Sequence, residues 1–524
     1  MKGTWKKIVS ALCCLTMAAV PLAGCSHGSD PGNQSAGTDP SKLAPATVTL
    51  YMVSDEPKDT AKVVAKLNEL FKKELNTTIA INFTSWTDYT QKYDLALKSG
   101  GDIDLVYTAN WMSYAQYAGQ GAFLDLDDLL PKYAPKVWKM IDSNTWDQVK
   151  VKQKIYAVPS PSFVYDSKGI AYRADLCKKY SLPVPDSAAH VEEYLLGVKK
   201  NLPNQKLYGV YPEQNPSGEP FSANTMLMNF RYPLVNEEFS SYGLVSRYDQ
   251  PDKLINYWGS DGFVEDMKTL RRWCTEGFWS KDVLSAKNNP DDFNMGEVVL
   301  STSGLNPAKV DGARQQLAAQ NKDWQADYFP FAKLWGYARY ATPMSNMTSI
   351  PYTCKNPERA LMVLEKLMTD QRYYTLLQYG IEGTHYTVKD GCYNAILNKN
   401  GDDDYSQGAF AWGFENPKLA MKVVESDFYK NQNAALDKLR EKTPFHAADI
   451  SGGFQEDYSD YQAQRAALGN VISEYLTPLE AGMVPDVDKG VAQFRAKAKE
   501  AGLDAIQAAY AKEWASYCDE HNYH

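Results

Sequence analysis

Two consecutive β-α-β units between residues 47 and 107 constrain this chain more than any other feature. Val48, Leu50 and Met52 alternate as in a strand, and Pro57 opens a helix whose apolar residues Val63, Val64, Leu67, Leu70, Phe71 and Leu75 recur at helical spacing. Ile79, Ile81 and Phe83 alternate again. A second helix, from about Thr87 to Ser99, stops at Gly100-Gly101, and Ile103 to Tyr107 follows as a compact apolar strand. Two such units imply parallel strands with right-handed crossovers, hence an open α/β sheet. Ligands of such sheets bind outside the carboxyl ends of the strands. The loops expected there are Ser54-Asp55-Glu56, Ser85-Trp86-Thr87-Asp88-Tyr89 and Tyr107-Thr108-Ala109-Asn110-Trp111.

Residues from about 160 to 340 read as a second, less regular α/β region interrupted by Pro-rich loops. Beyond Asn356 the pattern is helical: Pro357 to Tyr379 reads as helix, and Gln462 to Trp514 as mostly amphipathic helix. The mature length exceeds what one hydrophobic core usually holds, so two or more lobes are expected.

The first residues give an address. Lys2, Lys6 and Lys7 precede an apolar run, Ile8 to Leu22, that is too short and interrupted for a membrane span of about 20 apolar residues, and it reads as a signal peptide. It ends in Leu22-Ala23-Gly24-Cys25, which resembles the bacterial lipobox, with Cys25 as the acylated residue. Two acyl chains suffice for stable anchoring. Ser26 to Ala46, rich in Gly, Ser, Asp and Pro, is expected to be a flexible tether.

The whole chain carries a formal charge of −9; losing residues 1–24 removes three lysines and no acid, which leaves −12. That argues against nucleic acid, whose phosphates need a basic patch. Cys13 and Cys14 leave with the leader and Cys25 is acylated, so Cys177, Cys274, Cys354, Cys392 and Cys518 remain. They form no C-x-x-C pair and read as small buried apolar residues rather than metal ligands. Asp402-Asp403-Asp404 and Asn288-Asn289-Pro290-Asp291-Asp292 offer hard oxygens suited to calcium. Neither has the spacing of a twelve-residue calcium loop, and both read as solvated turns. No metal and no cofactor is expected.

Several stretches resemble the extracellular solute-binding proteins of sugar-type ABC importers, in particular a subgroup of large lipoproteins with an extra C-terminal region. They are Lys98 to Leu105, Gly121 to Leu126 leading into Leu129 to Pro135, Lys154-Ile155-Tyr156-Ala157-Val158-Pro159, and Tyr172-Arg173-Ala174-Asp175-Leu176. Asn356 to Ala360 and then YGIEGTHY, Tyr379 to Tyr386, are similar to the subgroup's hallmark. Thr384 and Glu415 stand where the subgroup tends to have Lys and Gly, which bears on cargo rather than fold.

The resemblance implies an α/β, two-lobe, periplasmic-binding-protein-like fold with a hinge, an interlobe cleft and a mainly helical C-terminal addition. The expected layout is a signal peptide over 1–24, the lipidated Cys25 and tether over 25–46, a first lobe from 47–165 and about 343–415, and a second from about 166–342 and 416–524. It implies a monomer anchored on the outer face of a bacterial, Gram-positive membrane. There it would capture an oligosaccharide and pass it to the permease subunits, with no bond chemistry.

Sugars present C–H faces to aromatic rings and hydroxyls to planar polar groups, and aromatics make up 12% of this chain. Trp86 and Trp111, with Asn110 and Asp55, fall at the expected ligand edge; each Trp reads as a stacking platform or as core packing. Trp335, Tyr337 and Trp412 are further candidates. Arg173 reads as a fork for a ligand acid or hydroxyl pair, or as one half of a structural ion pair. Glu382 and His385 read as ligand contacts or as braces of their loop. Alternative cargoes are a peptide or a polyamine. A surface glycosidase would need two carboxylates about 5 to 10 Å apart, and no catalytic motif marks such a pair.

Overall fold

The structure is a computed structural model. It describes residues 42–524 except 86–87, 161–164, 166–167, 210–220, 235–241, 286–291, 303–304, 341, 400, 402, 407–409, 444–449, 452–453 and 455. The leader, Cys25, most of the tether, Trp86 and Asp402 therefore lie outside the described residues.

Strand β1 (Ala46–Val53), helix α1 (Thr60–Leu75), strand β2 (Thr77–Thr84), helix α2 (Tyr89–Lys98) and strand β3 (Leu105–Thr108) form the two expected units. α1 starts three residues after Pro57. The helix buries Val63, Leu67, Phe71 and Leu75 against the sheet, and Val48, Leu50 and Met52 fill the same core from β1. α1 ends at Asn76 in the left-handed region (φ 47°), a conformation its short amide side chain tolerates.

Further along the chain come β4 (Ala157–Pro159), β5 (Gly169–Arg173), β6 (Leu300–Ser301), β7 (Ala326–Pro330) and β8 (Met347–Ser349). The first sheet has the order β2-β1-β3-β8-β4, with β1 parallel to β2 and β3, and β8 antiparallel to both β3 and β4. The chain therefore leaves this sheet after β4 and returns to it at β8. The second sheet, β6-β5-β7, is antiparallel throughout.

Two large cores follow this division. One draws on residues 48–158 and 344–414; the other on residues 170–337 and 450–518. The chain crosses between them after Ser160 and again before Asn346, and the two crossings pair antiparallel at Tyr165 and Tyr340. A third crossing comes between residues 422 and 426: Lys422 still bridges to Cys392 of the first lobe, while Ser426 Oγ donates to Asp311 Oδ1 (2.7 Å) of the second. That lies later than the boundary near residue 415 expected from the sequence.

The stretch expected as one helix from Pro357 to Tyr379 is two, Pro357–Thr369 and Gln371–Tyr379, because the Asp370 carboxylate accepts from Arg372 N and starts a new helix. The C-terminal helices do not stand apart from the second lobe. Arg495 donates to the carbonyls of Trp258 and Ser260, Trp514 Nε1 to that of Pro251, and Trp279 Nε1 to that of Ala481. Cys177, Cys274, Cys354, Cys392 and Cys518 are free thiols, and only Cys518 is fully buried.

Candidate functional site

The register of the first sheet decides where a site can form. Val53 aligns with Thr84, and Tyr51 with Val106, so β1, β2 and β3 end at one edge. Met347 pairs with both Thr108 and Pro159, so β8 enters and β4 leaves at that same edge. The loops after three parallel strands thus meet two interlobe crossings.

Side chains knit them together. Tyr107 OH donates to Asn346 Oδ1 (2.7 Å) and Trp111 Nε1 to Ser345 O (3.1 Å). Ser160 Oγ donates to Trp412 O (2.6 Å) and accepts from Glu415 N (3.2 Å). The rings form a chain: Tyr89 to Trp111 at 6.1 Å, Trp111 to Tyr107 at 6.2 Å, and Tyr107 to Trp412 at 6.2 Å. Tyr107 is buried, which pushes its phenol well above the ordinary range, so it stays a neutral donor. Trp111 and Trp412 keep part of their surface free, and Asp55 is exposed. Asn110 Oδ1 is shielded and accepts no hydrogen bond among the described residues.

The second lobe brings its own aromatic edge. Pro330 pairs with Gly169, so β7 ends beside the start of β5, the strand entered from the first crossing. The turn Ala332–Trp335 follows, then Gly336 at φ 80°, a left-handed position that favours glycine, and then Tyr337. Ring centroids lie 6.1 Å apart from Trp335 to Tyr337 and 5.2 Å from Tyr337 to Tyr248, with the Arg339 guanidinium 5.2 Å from the Tyr248 ring. Trp335 Nε1 donates to Asn229 O (3.2 Å), fixing the indole on the helix Ser222–Arg231. The buried Tyr337 hydroxyl has no hydrogen-bond partner among the described residues.

Arg173 and His385 are not part of this gathering. Arg173 sits at the other end of β5, is 3% exposed, grips Asp175 through Nε and Nη2 (both 2.7 Å) and stacks on Trp324 at 4.2 Å. His385 is 1% exposed; its Nδ1 accepts from Ile381 N (2.8 Å), so Nε2 carries the proton and donates to Asp59 Oδ2 (3.1 Å). Both have the bracing geometry that was one of their two readings. Lys62, then His385, hold the Asp59 carboxyl below its usual range against the effect of burial. Gly380 (φ 79°) is needed here, since a Cβ would lie 2.4 Å from His385 Nδ1. Glu382 is exposed on this loop.

No group of three or more His, Cys, Asp or Glu is placed to hold a metal among the described residues. Asp404 Oδ1 is occupied by Lys58 Nζ (2.9 Å) and Asn398 Nδ2 (2.8 Å). Tyr248 and Arg339 were not singled out in the sequence: neither sits in a patterned segment, and their meeting depends on residues far apart in the chain.

Two lobes, three crossings and a sheet edge of aromatic and amide groups define the class of hinged binding proteins with a periplasmic-binding-protein-like fold. Residues 62–384, more than half of the chain, match the bacterial extracellular solute-binding protein family, and the chain belongs to it. Residues 450–519 match a domain of unknown function, DUF3502. The chain is similar to a carbohydrate ABC transporter substrate-binding protein of Streptococcus pneumoniae, 24% identical over 505 residues covering 95% of each chain. It is also similar to lipoprotein LipO of Bacillus subtilis, 22% identical over 491 residues, 90% of this chain and 92% of that one. Among solved structures, the N-glycan transport solute-binding protein NgtS of Streptococcus pneumoniae in complex with Man1GlcNAc superposes with a TM-score of 0.70 at 19% identity, covering 90% of this chain and 100% of that one.

Proposed function

We propose that this protein is the capture subunit of an ABC importer, tethered through Cys25 to the outer face of a Gram-positive membrane, and that its cargo is an oligosaccharide passed to membrane permease subunits. The observation that carries the reading is the pair of aromatic edges. Tyr89, Trp111 and Trp412 present ring surface on one lobe, backed by the buried Tyr107, and Trp335 does so on the other, backed by the buried Tyr337 and Tyr248, with both edges next to the crossings. Pyranose C–H faces stack on the partly exposed rings, and Asn110 and Asp55 supply planar groups for hydroxyls.

Closure about the crossings brings the edges together, and cargo favours the closed form by the difference in its affinity for the two. The protein performs no bond chemistry and acts as a monomer. The relatives support this reading, since one is named for carbohydrate transport and one is a lipoprotein by name. The test is a glycan array probed with the chain from Ser26 onward, followed by mass spectrometry of the recovered glycan. Selective retention of intact oligosaccharides supports the proposal; hydrolysed glycan, or no retention, refutes it.

A further inference from the structure

We infer that the seam between the first lobe and the C-terminal helices holds a second saccharide site, separate from the aromatic edges at the crossings, that takes a short neutral glycan. The inference takes its ligand class from the saccharide reading above, but its residues are different ones.

A groove of about 610 Å³ opens there, within the ~300–1,000 Å³ usual for ligand sites. Asn144, Gln148 and Gln153 line one wall, and Tyr517, His521 and Tyr523 the other. The three rings pack as a cluster: Tyr517 to His521 at 4.2 Å and 36°, His521 to Tyr523 at 5.6 Å and 17°, and Tyr517 to Tyr523 at 6.2 Å and 53°. Each is fixed in advance. Tyr517 OH donates to Ile450 O (2.9 Å), and His521 Nδ1 lies 2.8 Å from Tyr517 O. Asn522, left-handed at φ 55°, ends the helix Leu503–His521 and turns Tyr523 back so that its N–H meets Cys518 O (3.0 Å). Tyr517 and Tyr523 keep part of their surface free and His521 is exposed.

The opposite wall is poised for hydroxyls. Gln148 Oε1 accepts no hydrogen bond among the described residues while its Nε2 donates to Asn144 O at 3.3 Å. A ligand hydroxyl donating to that oxygen would satisfy a shielded acceptor, at the cost of the long Nε2–Asn144 O bond if the amide turns to reach it. The tip of the hairpin Lys150–Val151/Lys154–Ile155 is Lys152-Gln153, at φ 49° and 65°. Two consecutive left-handed residues favour Asn-Gly; long side chains here retain strain, and strain gathers at functional positions. The turn holds the Gln153 amide against the groove. Charges of both signs line the gap, with Lys150 paired to Asp147 (2.7 Å) and Lys152, Glu513 and Glu520 beside them, which suits a neutral ligand better than a strongly charged one. Gln116 Nε2 donates to Tyr458 OH (2.9 Å) and ties the seam beside the groove.

The test is calorimetric titration of the chain from Ser26 onward with neutral oligosaccharides of mannose and N-acetylglucosamine, in the wild type and three variants. Trp111→Ala disables the edge at the crossings. Tyr523→Ala removes one ring at the chain end, and Gln153→Gly removes the amide while relaxing the turn. A strong and a weak phase are expected in the wild type. Trp111→Ala should abolish the strong phase alone, and each groove variant should weaken the weak phase at least tenfold and leave the strong one unchanged. Absence of a weak phase, or a weak phase indifferent to both groove variants, overturns the second site. Loss of the strong phase for every glycan would instead count against the proposed function, and the weak phase would still be read separately.

Discussion

Glu480 offers the sharpest numerical prediction. It lies in the C-terminal helices and is buried, accepting from Phe221 N (3.1 Å) and Asn224 Nδ2 (2.9 Å), with no cation bonded to it among the described residues. Burial pushes its carboxyl up from 4.5 to about 7, against the two hydrogen bonds. The folded protein therefore keeps this proton up to about pH 7, while the unfolded chain loses it near 4.5. Between those values the folded state binds more protons, so stability falls as pH rises. At about 1.4 kcal/mol per tenfold change in proton affinity, the ionised carboxylate costs roughly 3 kcal/mol above pH 7.

Glu480→Gln keeps the shape and stays neutral, so it should resemble the protonated wild type. Urea unfolding followed by tryptophan fluorescence should find the variant within about 1 kcal/mol of the wild type at pH 5, with the difference moving by about 2 to 3 kcal/mol in the variant's favour at pH 8. Asp266, itself pushed up by burial though bonded to Arg231 and Tyr257, is present in both proteins and cancels. An offset that is the same at pH 5 and pH 8 would refute the reasoning. The consequence reaches the candidate site, because Glu480 holds the first turn of the helix that anchors Trp335 through Asn229 O.

Trp111→Ala should weaken oligosaccharide binding at least about fivefold in calorimetry, since a stacked aromatic contributes about 1–3 kcal/mol; unchanged affinity would remove Trp111 from the site. Tyr337→Phe should leave the melting temperature unchanged or slightly raised, because the hydroxyl it removes is buried and unbonded. A drop of several degrees would show that the hydroxyl has a structural partner. Deleting residues 450–524 should abolish the second lobe's unfolding transition and lower the near-ultraviolet circular dichroism signal while the first lobe keeps its own, because Phe494, Ile506, Tyr510 and Trp514 share one core with Trp258, Phe263 and Leu270, and the first core contains none of the deleted residues. An unfolding profile and near-ultraviolet signal unchanged from the full chain would contradict it.

The first lobe was legible because each strand is several residues long and alternates, as Val48, Leu50 and Met52 do, while α1 repeats apolar residues at helical spacing. The second was not, since β6 is two residues long and its sheet is antiparallel, so no repeated unit announces it. Nothing in Pro357 to Tyr379 breaks the helical pattern. The break comes from Asp370, whose backbone turns extended (φ −105°, ψ 117°) while its carboxylate caps Arg372 N, and apolar periodicity does not register a single such residue. In the site, the rule of strand carboxyl ends led to Asn110 and Trp111, which the structure sets beside the crossings. Tyr248 reaches Tyr337 only through the folded second lobe. Arg173 and His385 show why residue type alone leaves two readings open: a fork and an imidazole suit a ligand or a brace, and the structure sets them against Asp175 and Asp59.

The most direct test of the central claim is a thermal-shift screen of the chain from Ser26 onward against oligosaccharides, monosaccharides, peptides and polyamines. A ligand at 100 times its dissociation constant stabilises the folded state by about 2.7 kcal/mol, a readily measured rise. Stabilisation by oligosaccharides, abolished in Trp111→Ala, is the predicted result. Stabilisation by peptides or polyamines alone would contradict it.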